Sequence, residues 1–286
     1  MQRQDIAGHT IVVTGCSTGI GYCVAHGLLR RGYRVVATAR RQPDVARLRA
    51  EGLECLELDL DDPGSIAQAV SELEHSAERR IYGLFNNAGF GQPGAVEDLH
   101  REVLRAQFET NVFGTLDLTN RILPWMREAG EGRIIQNSSL LGFVSLAYRG
   151  AYNASKYALE GLYDTLRLEL AGSGVHAVLI EPGPVTSRFR ANAYAAYRRN
   201  IDSRNSVHRE TYRAMEARLS QEGSVAPFTL PPEAVLKKVI KALESPVPRP
   251  RYYVTFPSYL FGALKRCLGT RALDRVLLGV SRRERR

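Results

Sequence analysis

A chain of 286 residues with 44% hydrophobic side chains can bury one sizeable α/β core. The formal charge of +9 is concentrated in residues 249–286, where ten Lys or Arg face only Asp274 and Glu284. That +8 tail leaves a body at +1, which argues against a nucleic-acid-binding surface, and no cysteine or histidine spacing supports a metal site.

The polar start, Met1 to Ala7, carries no signal-peptide pattern and leads into a strand at Thr10–Thr14. A helical pattern follows at Gly19–Arg31, then strands at Arg34–Ala39 and Leu53–Leu58 and a helix over Pro63–Arg79. Further strands are predicted at Gly83–Asn86, Arg133–Asn137 and Val175–Ile180, with a helix over Ala151–Ala171 between the last two. Apolar strands separated by helices imply a parallel sheet covered on both faces. After Pro182 the rhythm changes to a polar, Tyr-containing helical stretch, Phe189 to Gln221, and a helix opening at Pro231-Pro232. A strand at Arg251–Thr255 and two basic amphipathic helices close the chain. The fold class expected is α/β, a doubly wound parallel sheet with a C-terminal helical substrate cap. No apolar run is long enough to cross a bilayer. Cys16, Cys23, Cys55 and Cys267 read as free buried thiols of a cytoplasmic protein.

The first strand ends in Thr14-Gly15-Cys16-Ser17-Thr18-Gly19-Ile20-Gly21 and feeds a helix. Glycines let backbone approach a pyrophosphate, and a helix N-terminus offers unpaired N–H groups; a tight strand–helix turn alone would need the same residues. The second strand ends in Ala39-Arg40-Arg41, where NAD sites usually place an acid. A guanidinium suits a 2′-phosphate, so Arg40, with Arg41 and Ser17, points to NADP(H); the other reading is a pair of surface arginines. Asp59 could accept from an adenine amino group or cap the helix near Pro63. Asn86-Asn87-Ala88-Gly89 ends the fourth strand with small and amide residues that let a flat ligand lie on the sheet edge, or that simply turn the chain.

Ser139, Tyr152 and Lys156 form the segment with the most specific chemistry. Tyr152 and Lys156 are four apart in a helical pattern and project from one face. An ammonium about 5 Å from a phenolate, at an effective dielectric of about 20, stabilises it by roughly 3 kcal/mol. That is roughly two pKa units, enough to bring the phenol toward use as a general acid or base. A Tyr-x-x-x-Lys pair by itself is an ordinary helix-surface feature. Its position after a Ser-Ser strand end and a glycine loop gives it chemical meaning.

In order and spacing, TGCSTGIG, NNAG, Asn111, NSS, YNASK and PGPVTS resemble the motifs of the short-chain dehydrogenase/reductase family over roughly residues 8–190. The resemblance implies a Rossmann-type catalytic domain over residues 1–286, with 188–286 supplying the substrate loop and cap. It implies catalytic roles for four residues. Tyr152 would protonate a carbonyl oxygen, Ser139 orient it, and Lys156 lower the tyrosine pKa and bond the nicotinamide ribose. Asn111, in a locally loosened helix, would hold a proton-relaying water. It places the cofactor against Gly15, Ser17, Thr18, Gly19, Ile20 and Gly21, then Arg40, Asp59 and Leu60, then Asn87, Ala88 and Gly89. Beyond Tyr152 and Lys156, the nicotinamide wall would be Pro182, Gly183, Val185 and Ser187. Threonine is common in the family where Ser187 stands, so that contact belongs either to Ser187 or to Thr186.

The last forty or so residues are similar to those of bacterial aldehyde reductases and of hydroxysteroid and retinol dehydrogenases. The expected activity is therefore hydride transfer between NADPH and a hydrophobic aldehyde or ketone. The alternatives are a 3-oxoacyl or steroid-type ketone reductase, and a non-catalytic NADP-sensing protein. Such sensors usually lose the Tyr–Lys pair, which this chain retains. Phe189, Tyr194, Tyr197 and Met215, with Phe256, Tyr259, Leu260 and Phe261 of the tail, are candidates for an apolar pocket or for plain core. The basic tail is either a solvated helix face or a peripheral contact with an anionic membrane, and a homodimer is left open.

Overall fold

Seven short strands, the inner five almost wholly buried, carry the molecule. The computed structural model describes residues 8–77, 79–221 and 226–283. The strands are β1 (Thr10–Val13), β2 (Arg34–Ala39), β3 (Glu54–Glu57), β4 (Ile81–Asn86), β5 (Gly132–Asn137), β6 (Val175–Glu181) and β7 (Arg251–Tyr253). All pair in parallel, in the order β3-β2-β1-β4-β5-β6-β7. Parallel strands buried on both faces need apolar, β-branched sequence throughout, which TIVV and RVVATA supply.

The helices in chain order are α1 (Gly19–Arg31), α2 (Gln42–Ala50), α3 (Pro63–Ala77), α4 (Arg101–Phe108), α5 (Thr115–Ala129) and α6 (Gly150–Glu169). Then come α7 (Phe189–Asn200), α8 (Arg209–Ser220), α9 (Glu233–Glu244), α10 (Phe256–Cys267) and α11 (Thr270–Arg283). One face of the sheet buries Val24 and Leu28 of α1, Leu48 of α2, and Val235 and Val239 of α9. The other buries Ile66 and Leu73 of α3, Leu118 and Ile122 of α5, and Leu159 and Tyr163 of α6. Each such side chain contributes roughly 1.5–3 kcal/mol by leaving water. This is the doubly wound sheet that the alternation of strands and helices implies.

Several boundaries differ from the sequence reading for identifiable reasons. β4 starts two residues earlier, at Ile81, because Ile81 itself pairs with Thr10 across a register shift. The stretch from Phe189 to Gln221 is two helices, whose Tyr197, Tyr212 and Met215 pack on Ala95 as a separate small core. β7 stops at Tyr253, since Thr255 turns to become the N-cap position of α10, with Pro257 in its first turn. Cys16, Cys23 and Cys55 are buried, but Cys267 is exposed, at the C-terminal end of α10. Among the described residues no helix is long and apolar enough to cross a membrane. Met1 to Ala7, together with Glu284, Arg285 and Arg286 of the basic tail, lie outside the described residues.

Candidate active site

The chain leaves β1 toward β2 and leaves β4 toward β5, so adjacent strands send their connections opposite ways. A crevice opens there, outside the carboxyl ends of the strands, and the sequence-predicted residues converge on it.

The glycine loop is packed too tightly for side chains. A Cβ on Gly15 would lie 2.8 Å from the Ala88 Cα, and one on Gly21 would lie 2.3 Å from the Gly15 carbonyl oxygen. Gly19 has φ +64°, in the left-handed region that glycine adopts without strain. α1 then begins without a side-chain cap: Thr18 makes no capping hydrogen bond, and the first turn holds no acid. Its leading N–H groups and positive dipole end are left for an anion. The loop is tied down by Thr14, whose role sequence spacing does not reveal. The Thr14 hydroxyl accepts from the Asn87 and Ala88 N–H groups at 2.9 and 3.0 Å. Asn87 Nδ2 donates to the Thr14 carbonyl at 2.9 Å, while Asn86 points away, toward Thr119 and Tyr163.

Cys16 N–H donates to the Thr38 carbonyl at 2.8 Å, which sets the glycine loop beside the end of β2. Arg40 is exposed there, with no ion pair among the described residues, whereas Arg41 is held by Asp44 at 2.8 Å. Arg47, absent from the sequence reading, reaches back to the Ser17 carbonyl at 2.7 Å and braces the loop. Asp59 does not cap the following helix. Its Oδ1 accepts from the Asp61 N–H at 3.1 Å, and Asp62 accepts from Gly64 N–H at the start of α3. The Leu60 side chain is buried in the core, and its carbonyl packs against Gly114. Gly89 packs against Asn111, whose Oδ1 would lie 2.9 Å from an added Cβ.

Asn111 sits in a π-helical segment, Glu109–Gly114, between α4 and α5. Such a bulge loosens the backbone ladder, as the family resemblance implies for this position. Its side-chain amide is fully engaged, donating to the Phe90 carbonyl and to Ser155 Oγ, both at 3.0 Å, and accepting from Phe90 N–H at 3.1 Å. Ser155 in turn donates to the Tyr152 carbonyl at 2.9 Å, so Asn111 is linked to the helix that carries Tyr152.

α6 presents Tyr152 and Lys156 on one stripe. Lys156 is buried; its Nζ donates to the Asn137 carbonyl at 2.8 Å and lies 5.7 Å from the Tyr152 ring centroid. Burial brings Lys156 down to about 8 against the raising field of Glu160. Burial pushes the Tyr152 phenol up to about 12, and a hydrogen bond with Ser139 pulls the other way. The sequence reading expected Lys156 to bring Tyr152 down. Here the ammonium is directed at the Asn137 carbonyl and lies over the ring face, and burial is the largest influence on the phenol. Ser139 Oγ also accepts from the Leu141 N–H at 3.1 Å, which fixes its rotamer.

The far wall is the segment after β6. Pro182 accepts from Leu140 N–H at 2.8 Å, and Gly183 N–H donates to the Thr255 hydroxyl at 3.1 Å. Pro184 and Thr186 both bond Leu230 through their backbones. Because alternate residues of an extended segment face opposite edges, this turns the Val185 N–H into the crevice, where it meets no partner among the described residues. Ser187, rather than the exposed Thr186, lies against the glycine loop, its Cβ 3.0 Å from where a Gly19 Cβ would be. Phe189 covers the site: its ring lies 5.2 Å from that of Tyr152 and fills the space a side chain at Gly91 would need. Tyr197 and Met215 belong instead to the small core under α7 and α8, and Phe261 packs with Leu140, Val144 and Leu277.

A glycine cradle, an uncapped helix start and an unpartnered Val185 N–H fit a dinucleotide laid across the switch point, the arrangement of nucleotide-dependent oxidoreductases on this fold. The comparisons with known proteins agree. Residues 9–198 match the family model described as short chain dehydrogenase. The chain is 41% identical over 270 residues to the uncharacterized oxidoreductase YbbO of Escherichia coli (strain K12), covering 94% of each. It is 32% identical over 276 residues to an NADPH-dependent 3-dehydrocapnine reductase of Ornithobacterium rhinotracheale, covering 93% of this chain and 94% of that one. A short chain dehydrogenase from Burkholderia cenocepacia J2315, solved in complex with NADP, superposes with a TM-score of 0.74 at 26% identity, covering 97% of this chain and 99% of that one. The chain belongs to the short-chain dehydrogenase/reductase family of oxidoreductases acting on CH–OH groups.

Proposed function

We propose that the protein reduces a hydrophobic aldehyde or ketone to the alcohol with NADPH. The observation that carries the reading is the grouping on α6: the Tyr152 phenol adjoins the Ser139 hydroxyl, the buried Lys156 Nζ lies 5.7 Å from its ring centroid, and burial keeps the phenol protonated in the neutral range. A general acid must carry its proton until the transition state. The nicotinamide, when bound, supplies the hydride to the carbonyl carbon. Ser139 holds the carbonyl oxygen, Tyr152 gives that oxygen its proton, and the Lys156 ammonium stabilises the phenolate as it forms. Asn111 positions this end of α6 through Ser155.

NADP(H) is favoured over NAD(H) by Arg40, which has no ion pair among the described residues and stands where an acid would bond a ribose hydroxyl. The relative named NADPH-dependent and the NADP-bound structural neighbour support the same choice. The Phe189 ring against Tyr152 supports an apolar substrate. The test is a panel of aliphatic aldehydes, retinal and steroid ketones, followed at 340 nm with NADPH and with NADH. Turnover of the longer apolar members with NADPH is expected; turnover confined to small polar carbonyls, or to NADH, contradicts the reading.

The C-terminal cap adds a surface. α10 and α11 bury Phe261, Leu264, Leu273 and Leu277 against the loop that follows Ser139. Their outer faces expose Phe256, Tyr259, Leu260 and Leu278 together with Arg266, Arg271, Arg275 and Arg282, which form no ion pair among the described residues. Exposed apolar groups interleaved with free cations suit an anionic lipid surface, where a lipophilic carbonyl compound partitions.

A further inference from the structure

Tyr152, Lys156, Glu160 and Asp164 follow one another at intervals of one turn along α6. Beyond the two residues used above, the stripe continues into a buried charge cluster. Glu160 and Glu181 are buried, Glu181 completely. The Ser138 hydroxyl donates to Glu160 Oε1, and the Arg251 guanidinium donates to Glu160 Oε2 at 3.1 Å. The same guanidinium donates to Glu181 Oε1 at 3.1 Å and to Asp164 Oδ2 at 2.6 Å. Gly142 closes the cluster from above: a Cβ there would lie 2.7 Å from Ser138 Oγ and 2.9 Å from Glu160 Cγ.

We propose that Glu160 is a positioning residue for the reaction: clamped by Ser138 and Arg251, its carboxylate holds the buried Lys156 as an ammonium beside Tyr152. The first support is electrostatic. Glu181, completely buried and facing Glu160, is driven toward its neutral form, and its second oxygen meets no partner among the described residues. With Glu181 neutral, Glu160 is the buried anion between Lys156 and Arg251, since Asp164 is partly exposed and also pairs with Arg167 at 3.2 Å. The second support is placement. Lys156 is faced by Tyr152 and Glu160 on its own helix and by the Asn137 carbonyl, so Glu160 is its one anionic neighbour among the described residues. Around Glu160 itself stand Lys156 and Asp164 of α6, Ser138 after β5, Glu181 of β6, and Arg251 and Tyr253 of β7. A buried ammonium without a counter-charge gives up its proton. The consequence is that β7, the last strand, anchors through Arg251 the group that keeps Lys156 charged.

The proposal rests on the reading of Lys156 as partner of Tyr152, and its test is chosen to need no turnover. Lys156 is one of five lysines in the chain, so NMR of protein labelled at lysine Cε can follow its titration directly. In the full-length wild type the Lys156 midpoint should lie at pH 8 or above. In Glu160→Gln it should fall by at least one pH unit, a tenfold easier loss of the proton, and in Glu160→Asp it should stay within about half a unit of wild type. An unchanged midpoint in a folded Glu160→Gln protein overturns the proposal, as does an equal fall in both variants. A wild-type midpoint below 7 overturns it even if Glu160→Gln does not fold. Absence of turnover on every carbonyl in the panel would tell against the reductase reading and leave these midpoints as they are.

Discussion

The Lys156 ammonium donates to the Asn137 carbonyl at 2.8 Å, and Asn137 Nδ2 donates to Asn87 Oδ1 at 2.9 Å. Through Asn87 the chain of bonds continues to the Thr14 carbonyl. Lys156 and the glycine loop are thus one hydrogen-bonded unit across the ends of β1, β4 and β5.

That unit gives a pH dependence. Burial depresses Lys156 to about 8, from an ordinary value near 10.5. The ammonium is therefore retained below pH 8 and lost as pH rises through it, while Tyr152, near 12, stays protonated. kcat/KM for NADPH, which reports the free enzyme, should fall above pH 8, approaching tenfold per unit. The stability sign is opposite. Between about 8 and 10.5 the unfolded chain binds the proton that the folded one has released, so this lysine's burial penalty is full below pH 8 and is relieved across that window. A rate profile flat to pH 10 would contradict the assignment.

Arg40→Asp replaces attraction for a phosphate dianion with repulsion. The ratio of kcat/KM for NADPH to that for NADH should drop by at least 10²-fold. An unchanged ratio means that Arg40 does not read the 2′-phosphate.

Glycine substitutions separate the cradle from ordinary helix. In Gly21→Ala the new Cβ would lie 2.3 Å from the Gly15 carbonyl oxygen and 2.6 Å from Asn87 Nδ2, so backbone must move. A loss of about 1–3 kcal/mol is expected, with NADPH binding weakened at least tenfold. At Gly161, inside α6, an added Cβ meets open space, and Gly161→Ala should stabilise by about 0.5–1 kcal/mol. Thermal melts with and without NADPH check both; equal behaviour of the two variants would contradict the cradle.

For the cap, sedimentation with lipid vesicles is the check. Vesicles containing phosphatidylserine should retain the protein at low salt and release it at high salt, and pure phosphatidylcholine should not retain it. Replacing Arg271, Arg275 and Arg282 together by Gln should weaken binding by about 1 kcal/mol per residue. Equal partitioning to both vesicle types, or none to either, leaves the cap as a solvated surface.

Most of the sheet was legible because burial on both faces demands continuous β-branched runs, and Arg34–Ala39 was located to the residue. The glycine loop and the Tyr–Lys stripe were legible because both are local patterns. What escaped is held by contacts distant in sequence. Arg47 reaches the Ser17 carbonyl across 30 positions, and Arg251 reaches Glu160 across 91. Neither leaves a periodic trace. Tyr197 and Met215 resembled pocket-lining residues, yet a satellite core requires the same residue types, and only packing separates them from Phe189. The Tyr152–Lys156 spacing was readable, but its electrostatics were not, since the burial that sets both groups depends on the whole fold.

The central claim is that Tyr152 donates the proton in an NADPH-dependent reduction. The most direct measurement compares wild type with Tyr152→Phe, following NADPH consumption at 340 nm with a medium-chain aldehyde and NADPH binding by fluorescence. The variant should keep its NADPH affinity within about threefold, because the ring still packs on Phe189 and Lys156 is untouched, and should lose at least 10²-fold in kcat. Retention of more than about a tenth of wild-type turnover with cofactor binding intact would contradict the assignment.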